Sequence, residues 1–229
     1  MKQLVARAIV LSRTEYGEAD RIITLLTPDT GKLRLMARGV RRPKSKLAGG
    51  IELFSVSQIT YMQGKSDLGT LISARLEKHY GNIVRDITRV QLGYELIRVL
   101  NKVTEDNPED DYFSLMQQAF AGLDSDMNTD IINLWFLAQL LRLSGSSPNL
   151  VTDTTDTELQ TDKLYSFDFD SMAFAEHPTA SFTAAHIKVL RLLFNVTDLG
   201  TLRQVQGIAE LLPDIAPLLF TMRQTYLHI

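Results

Sequence analysis

Five cations fall within nine residues in the segment Ala37-Arg38-Gly39-Val40-Arg41-Arg42-Pro43-Lys44-Ser45-Lys46-Leu47-Ala48-Gly49-Gly50. Glycine and proline interrupt the run, so the charges hang from a loop rather than a helix face. Guanidinium forks and ammonium groups presented this way suit a phosphate backbone, to which they give grip without base preference. A charge run alone is ordinarily a solvated loop. What precedes this one adds weight. From Lys32 to Arg38 the chain alternates, with Leu33, Leu35 and Ala37 on one strand face and Lys32, Arg34, Met36 and Arg38 on the other. Strand and loop together predict one positive surface made of Lys32, Arg34, Arg38, Arg41, Arg42, Lys44 and Lys46. Gly39, Gly49 and Gly50 are expected to make the loop compliant.

The formal charge of −3 over 229 residues conceals a division. Residues 1–80 carry 14 Lys/Arg against 7 Asp/Glu, whereas residues 81–229 carry 10 against 20. Uniform mixing does not give that split, which points the first 80 residues toward a polyanion. Apolar content of 45% and charged content of 22% are those of a globular chain able to build a core without staples. With no cysteine, a disulfide framework, a thiol nucleophile and a Cys-ligated metal are all excluded. Arg7 and Arg13 break up the apolar N-terminal runs and no small-residue cleavage site follows. No apolar run reaches membrane-spanning length, so the expected compartment is the cytoplasm.

Catalytic motifs fail on inspection. Gly64-Lys65-Ser66 resembles the end of a phosphate-binding P-loop, but Ile59 stands where the motif needs glycine, and strand rather than helix follows. No glycine-rich dinucleotide loop or nucleophile elbow occurs. His79, His177, His186 and His228 lack ligand spacing, so no metal is expected. Asp168 and Asp170 would share a strand face, but two carboxylates without further ligands mostly face water. Single-strand binders also stack bases on exposed rings. Tyr16, Phe54, Tyr61 and Tyr80 are the rings of the first 80 residues. Each singly is expected in the core, with one of the four a possible platform.

The elements that must position these groups read as two blocks. Leu4–Ser12, Arg21–Thr27, Lys32–Arg38, Leu53–Met62 and Leu68–Glu77 are strand candidates, with turns at Pro28–Gly31 and Gly64–Asp67. Five short strands predict an OB-fold barrel over 1–80, the nucleic-acid-binding domain. After Gly81 the period changes to 3.6, and residues 81–229 are expected to form an α-helical domain. Ile83, Ile87, Val90, Tyr94 and Ile97 mark one face of its first helix, widened by Leu92, Leu96, Val99 and Val103. Glu105–Asp111 is an acidic stop before a helix at Tyr112–Leu123, and Asp130 begins a third helix ending near Ser144-Gly145. An irregular insertion of about 144–180 contains a short hairpin after Lys163. Helices follow from Thr183 and over Thr201–Leu212, where Pro213 is expected to stop the chain's helix before Asp214–Tyr226 closes it. The fold class is thus α+β.

Three blocks resemble the bacterial recombination mediator family RecO. They are Glu15-Tyr16-Gly17-Glu18-Ala19-Asp20-Arg21-Ile22-Ile23-Thr24-Leu25-Leu26-Thr27, then Gly31-Lys32 with Ala37 to Ser45, then Asp67-Leu68-Gly69-Thr70-Leu71. Leu140 to Gly145 and Pro148-Asn149-Leu150 are similar to later family elements. The resemblance implies an OB-fold followed by a helical domain, in DNA repair and recombination after DNA damage. It further implies a non-enzymatic recombination mediator that binds single- and double-stranded DNA and promotes strand annealing. The implied partners are RecR, the acidic C-terminal tail of single-stranded DNA-binding protein (SSB) and, indirectly, RecA. Many relatives carry a four-Cys zinc module, but here Val151–Thr154 and Met172–Glu176 hold no cysteine, so a zinc-free insertion must do its packing. Arg142, with Leu141 or Leu143 beside it, is the candidate for the acidic tail. Two other classes stay open. One is an RNA-binding or ribosome-associated OB-fold protein. The other is an enzyme assembling Asp168, Asp170 and Glu176.

Overall fold

The computed structural model describes residues 2–64, 67–104 and 110–228. The expected turn at Gly64–Asp67 crosses Lys65 and Ser66, and most of the acidic stop is Glu105–Glu109; both lie outside the described residues.

Five strands close into a barrel: β1 (Lys2–Tyr16), β2 (Asp20–Thr27), β3 (Gly31–Ala37), β4 (Ser55–Gln63) and β5 (Leu68–His79), in the order β1-β2-β3-β5-β4. The first strand is long enough to serve two neighbours. Its residues Lys2–Ile9 pair with β4, and a register shift between Val10 and Ser12 then turns it onto β2. Parallel pairing of Arg34, Leu35 and Met36 in β3 with Leu68, Gly69 and Thr70 in β5 closes the ring. This is OB-fold topology. Alternation fills the interior with Ala6, Ala8, Val10, Ile23, Leu25, Leu33, Leu35, Ala37, Ile59, Tyr61 and Leu71. Gly31 takes the left-handed conformation that the β2–β3 turn requires.

By compactness the chain divides into Met1–Ser125 and Asp126–Ile229. The first unit therefore includes α1 (Ile87–Val103) and α2 (Asp110–Asp124) beside the barrel. Phe54 and Tyr80 meet the Phe120 ring of α2 at 5.5 and 5.6 Å. Gly93 of α1 lies so near Phe54 that a Cβ there would sit 2.6 Å from its ring. That approach selects the buried face of α1, which is Gly93, Leu96, Ile97, Val99 and Leu100. The face expected from periodicity is therefore partly wrong: Ile87 is 71% and Tyr94 51% exposed. Asp86 interrupts the expected single helix, its carboxylate accepting from the Arg89 N–H at the start of α1.

The second unit is built on α3 (Thr129–Leu143), α4 (Ala184–Asn195), α5 (Leu199–Leu202) and α6 (Ile208–Met222). Asn128 caps α3, and bonds from Gly145 N–H to Arg142 and from Ser146 N–H to Leu141 close it with Gly145 left-handed. The expected helix stop at Pro213 does not occur, since α6 runs through Pro213 and Pro217. Each proline removes one helical bond, but burial of Ile208, Leu212, Ile215, Leu218, Leu219 and Met222 outweighs that cost.

The insertion contains the hairpin β6 (Tyr165–Asp168) and β7 (Ala173–Glu176). Phe174 is its centre, packed edge-on against Tyr165, Phe167 and Phe182. Within Val151–Thr154, Asp153 accepts from the N–H groups of Thr155 and Thr157 and from the Thr155 hydroxyl. Backbone bonds from Asn149 to Met172 and from Thr154 to Phe174 stitch this loop to the hairpin.

Candidate nucleic-acid interface

The barrel places the cationic side chains through two devices. The first is strand alternation. Because Ile23, Leu25, Leu33, Leu35 and Ala37 point into the core, their neighbours Ile22, Thr24, Arg34 and Met36 point outward. Arg34 stands opposite Thr24 and Leu68 on that outer face and is exposed. Lys32 is different: its ammonium donates to the Asn101 carbonyl of α1 at 2.5 Å. The expected track along β3 therefore stops at Arg34, and Lys32 holds a helix carbonyl instead.

The second device is the anchoring of the loop after β3. Gly39 takes a positive φ and donates its N–H to Asp20 Oδ1 at 2.7 Å, while Arg41 N–H donates to the Ala19 carbonyl at 2.9 Å. Val40 and Ile51 insert into the barrel core, and Leu47 and Ala48 pack against it. Gly50 has no room for a side chain, since a Cβ would fall 2.5 Å from Ala74 backbone and side-chain atoms. The expectation that Gly39 and Gly50 make this loop compliant is corrected by these contacts. Gly39 supplies a left-handed backbone turn and Gly50 a close approach to Ala74, and the loop is held at both ends.

Arg38, Arg41, Arg42, Lys44 and Lys46 are all exposed on this pinned loop. Glu15 at the end of β1 draws in Arg41 at 3.4 Å and Arg21 at 3.8 Å. Among the described residues Arg34, Arg38, Arg42, Lys44 and Lys46 make no ion pair. Cations left without carboxylate partners are available to an external anion. Sequence pattern missed that Asp20 anchors the loop backbone and that Glu15 pairs with Arg41. Their place in the Glu15–Asp20 hairpin block is visible, but only strand pairing brings them to the loop.

A match to the family model described as "Recombination protein O N terminal" covers residues 1–80, the barrel and its loop. The chain is 30% identical over 207 residues to the DNA repair protein RecO of Halalkalibacterium halodurans, covering 86% of this chain and 80% of that protein. This chain belongs to the RecO family of DNA repair proteins. A RecO from Exiguobacterium sibiricum is 25% identical over 97% of this chain and 90% of its own length. Similarity to the RecO of Desulfatibacillum aliphaticivorans, at 31%, covers 66% of this chain and 60% of that protein. Within the family frame, no helix among the described residues is long and apolar enough to cross a membrane.

Other expected site residues take structural partners. Arg142 Nε donates to Gln139 Oε1 at 3.0 Å, and the Gln139 amide donates to the carbonyls of Leu193 and Phe194 at the end of α4. Leu141 is fully buried, so it is not free to receive an incoming side chain. The carboxylates of the enzyme reading do not converge. Asp168 accepts from Asp170 N–H, Ser171 N–H and the Ser171 hydroxyl, and that hydroxyl foremost holds its carboxyl below the ordinary range. Asp170 sits in the turn after β6 rather than on the strand. Glu176 pairs with Lys163 at 2.5 Å, at the opposite end of the hairpin ladder from Asp168.

Proposed function

We propose that this protein is a non-enzymatic recombination mediator that grips DNA phosphates with Arg38, Arg41, Arg42, Lys44 and Lys46, continued by Arg34. The observation that carries the reading is the pinned, exposed cationic loop on a RecO-family barrel. Four to six phosphate contacts on a single strand correspond to a log–log salt slope of about −3 to −4. Phosphate contacts carry no sequence information, so single- and double-stranded DNA are both bound with little base preference. The mediator anneals complementary strands and, with RecR, promotes RecA loading on SSB-coated single strands. The acidic SSB tail is assigned to Arg142, whose terminal nitrogens are the donors left once Nε is engaged by Gln139. A cytoplasmic, nucleoid-associated location follows from this role.

The test is annealing of complementary oligonucleotides coated with the cognate SSB, with wild type and an Arg41→Ala/Arg42→Ala variant. Wild type accelerates annealing and the variant does not. Absence of acceleration by wild type, with naked-DNA binding intact, would reject the mediator role. Tighter binding to single-stranded RNA than to DNA would favour the RNA-binding reading.

A further inference from the structure

Of the four rings in the barrel block, three are consumed by the core: Phe54, Tyr61 and Tyr80 are buried. Tyr16 is 55% exposed, and its ring makes no contact with another ring or a cation among the described residues. The register fixes where it points. Tyr16 pairs with Asp20, and Thr14 pairs with Ile22, which in turn faces Met36. Side chains directly opposite share a face, so Tyr16, Thr14, Ile22, Thr24, Arg34 and Met36 lie together on the outside of β1–β3. Arg38 follows β3 directly, as the first residue of the turn, and is exposed. Arg34 and Arg38 are four residues apart, at most about 13 Å of extended chain.

The acidic group nearest this ring on the face, Asp20, has its carboxylate occupied by the Gly39 N–H. Glu15, on the opposite face, is drawn toward Arg21 and Arg41. What the face offers is therefore an aromatic surface beside two unpaired guanidinium groups, with half-buried Ile22 and Met36 between them. Unpaired bases have π-faces to lay on such a ring, whereas the bases of a duplex are stacked on one another and inaccessible. The β2–β3 face is also where OB-folds take oligonucleotides.

We propose that Tyr16 is a base-stacking platform for single-stranded DNA, an inference that rests on the DNA-binding reading above. It divides the labour: the loop cations supply affinity common to both DNA forms, and the ring supplies preference for unpaired strands.

The experiment titrates a fluorescent single-stranded oligonucleotide and a duplex of equal length against wild type, Tyr16→Ala and Tyr16→Phe, at several salt concentrations. Tyr16→Ala weakens single-strand binding about five- to a hundredfold. Duplex affinity stays within about twofold of wild type, and the salt slope is unchanged because no phosphate contact is lost. Tyr16→Phe keeps wild-type single-strand affinity, because the ring rather than the hydroxyl acts. Equal losses on both DNA forms would overturn the proposal by showing that Tyr16 only shapes the loop. Unchanged single-strand binding in Tyr16→Ala, with wild type still binding salt-sensitively, would also overturn it and leave the DNA-binding reading standing. Failure of wild type to bind either form would remove that reading itself. A ring effect confined to single-stranded RNA would overturn the assignment to DNA.

Discussion

Two polar loop regions, one in each compact unit, use their side chains in opposite ways. In residues 38–50 the backbone is held by Asp20, Ala19 and the insertion of Val40 and Ile51 into the barrel, while the charged side chains stay outside. In residues 149–177 the side chains hold the backbone: Asn149, Asp153 and Asp168 each accept from nearby N–H groups, and Glu176 is paired with Lys163. Both stretches are polar in sequence. Among the described residues the first leaves cations exposed and unpaired, whereas the charges left unpaired in the second, Asp156, Glu158, Asp162 and Asp170, are carboxylates; that difference in sign separates a surface for anions from a self-capped scaffold.

The comparison breaks most readily at the aromatic centre of the scaffold. Phe174→Ala is expected to destabilise the second unit by about 3–5 kcal/mol, because a fully buried ring touching three others is removed. DNA binding by protein that remains folded should not change. Chemical denaturation followed by DNA titration below the transition checks both halves. Impaired binding in folded protein would show that the insertion reaches the nucleic acid.

A smaller effect sharpens the role of the loop. Glu15→Gln removes a carboxylate that competes with phosphate for Arg41, so affinity at low salt should rise about two- to fivefold. Stability should shift by no more than about 0.5 kcal/mol, since the pair is exposed. Weaker binding instead would mean that Glu15 positions Arg41 rather than restraining it.

Smallest is a pH effect in the scaffold. The Thr155 hydroxyl foremost holds the Asp153 carboxyl below its ordinary value, as Ser171 does for Asp168. Depressed folded-state values stabilise the native state above the unfolded pKa, and this contribution fades as pH falls through the folded pKa. Thr155→Val and Ser171→Ala should therefore flatten the loss of thermal stability below about pH 4, with little effect near neutrality. Identical acid profiles for wild type and both variants would contradict the self-capping description.

Much of this was legible in the sequence because strands and turns advertise themselves locally. Alternation across Lys32–Ala37 is enough to place Leu33 and Leu35 inside and Arg34 outside, and Gly31 marks its own turn. What was illegible depended on partners distant in sequence. Nothing near Lys32 announces that the Asn101 carbonyl will take its charge, and nothing near Arg142 announces the chain of bonds through Gln139 to α4. The same holds for α1, where the close fit of Gly93 against Phe54 chose a face that apolar spacing alone assigned only in part, with Leu96, Ile97 and Val99 inside but Ile87 and Tyr94 outside. Pro213 was misread because burial of the helix beyond it outweighs a local breaking tendency. At the candidate site, residue type identified the cations, and strand register decided which remained available.

The most direct test of the account is the salt dependence of single-stranded DNA binding by wild type and by Arg41→Ala/Arg42→Ala, with thermal stability measured in parallel. The account predicts a wild-type log–log slope of about −3 to −4, flattened by about one to two units in the variant, with weaker binding and an unchanged melting temperature. An unchanged slope would contradict it, and so would a melting temperature lowered as far as that of a core mutant, which would make these arginines part of the scaffold.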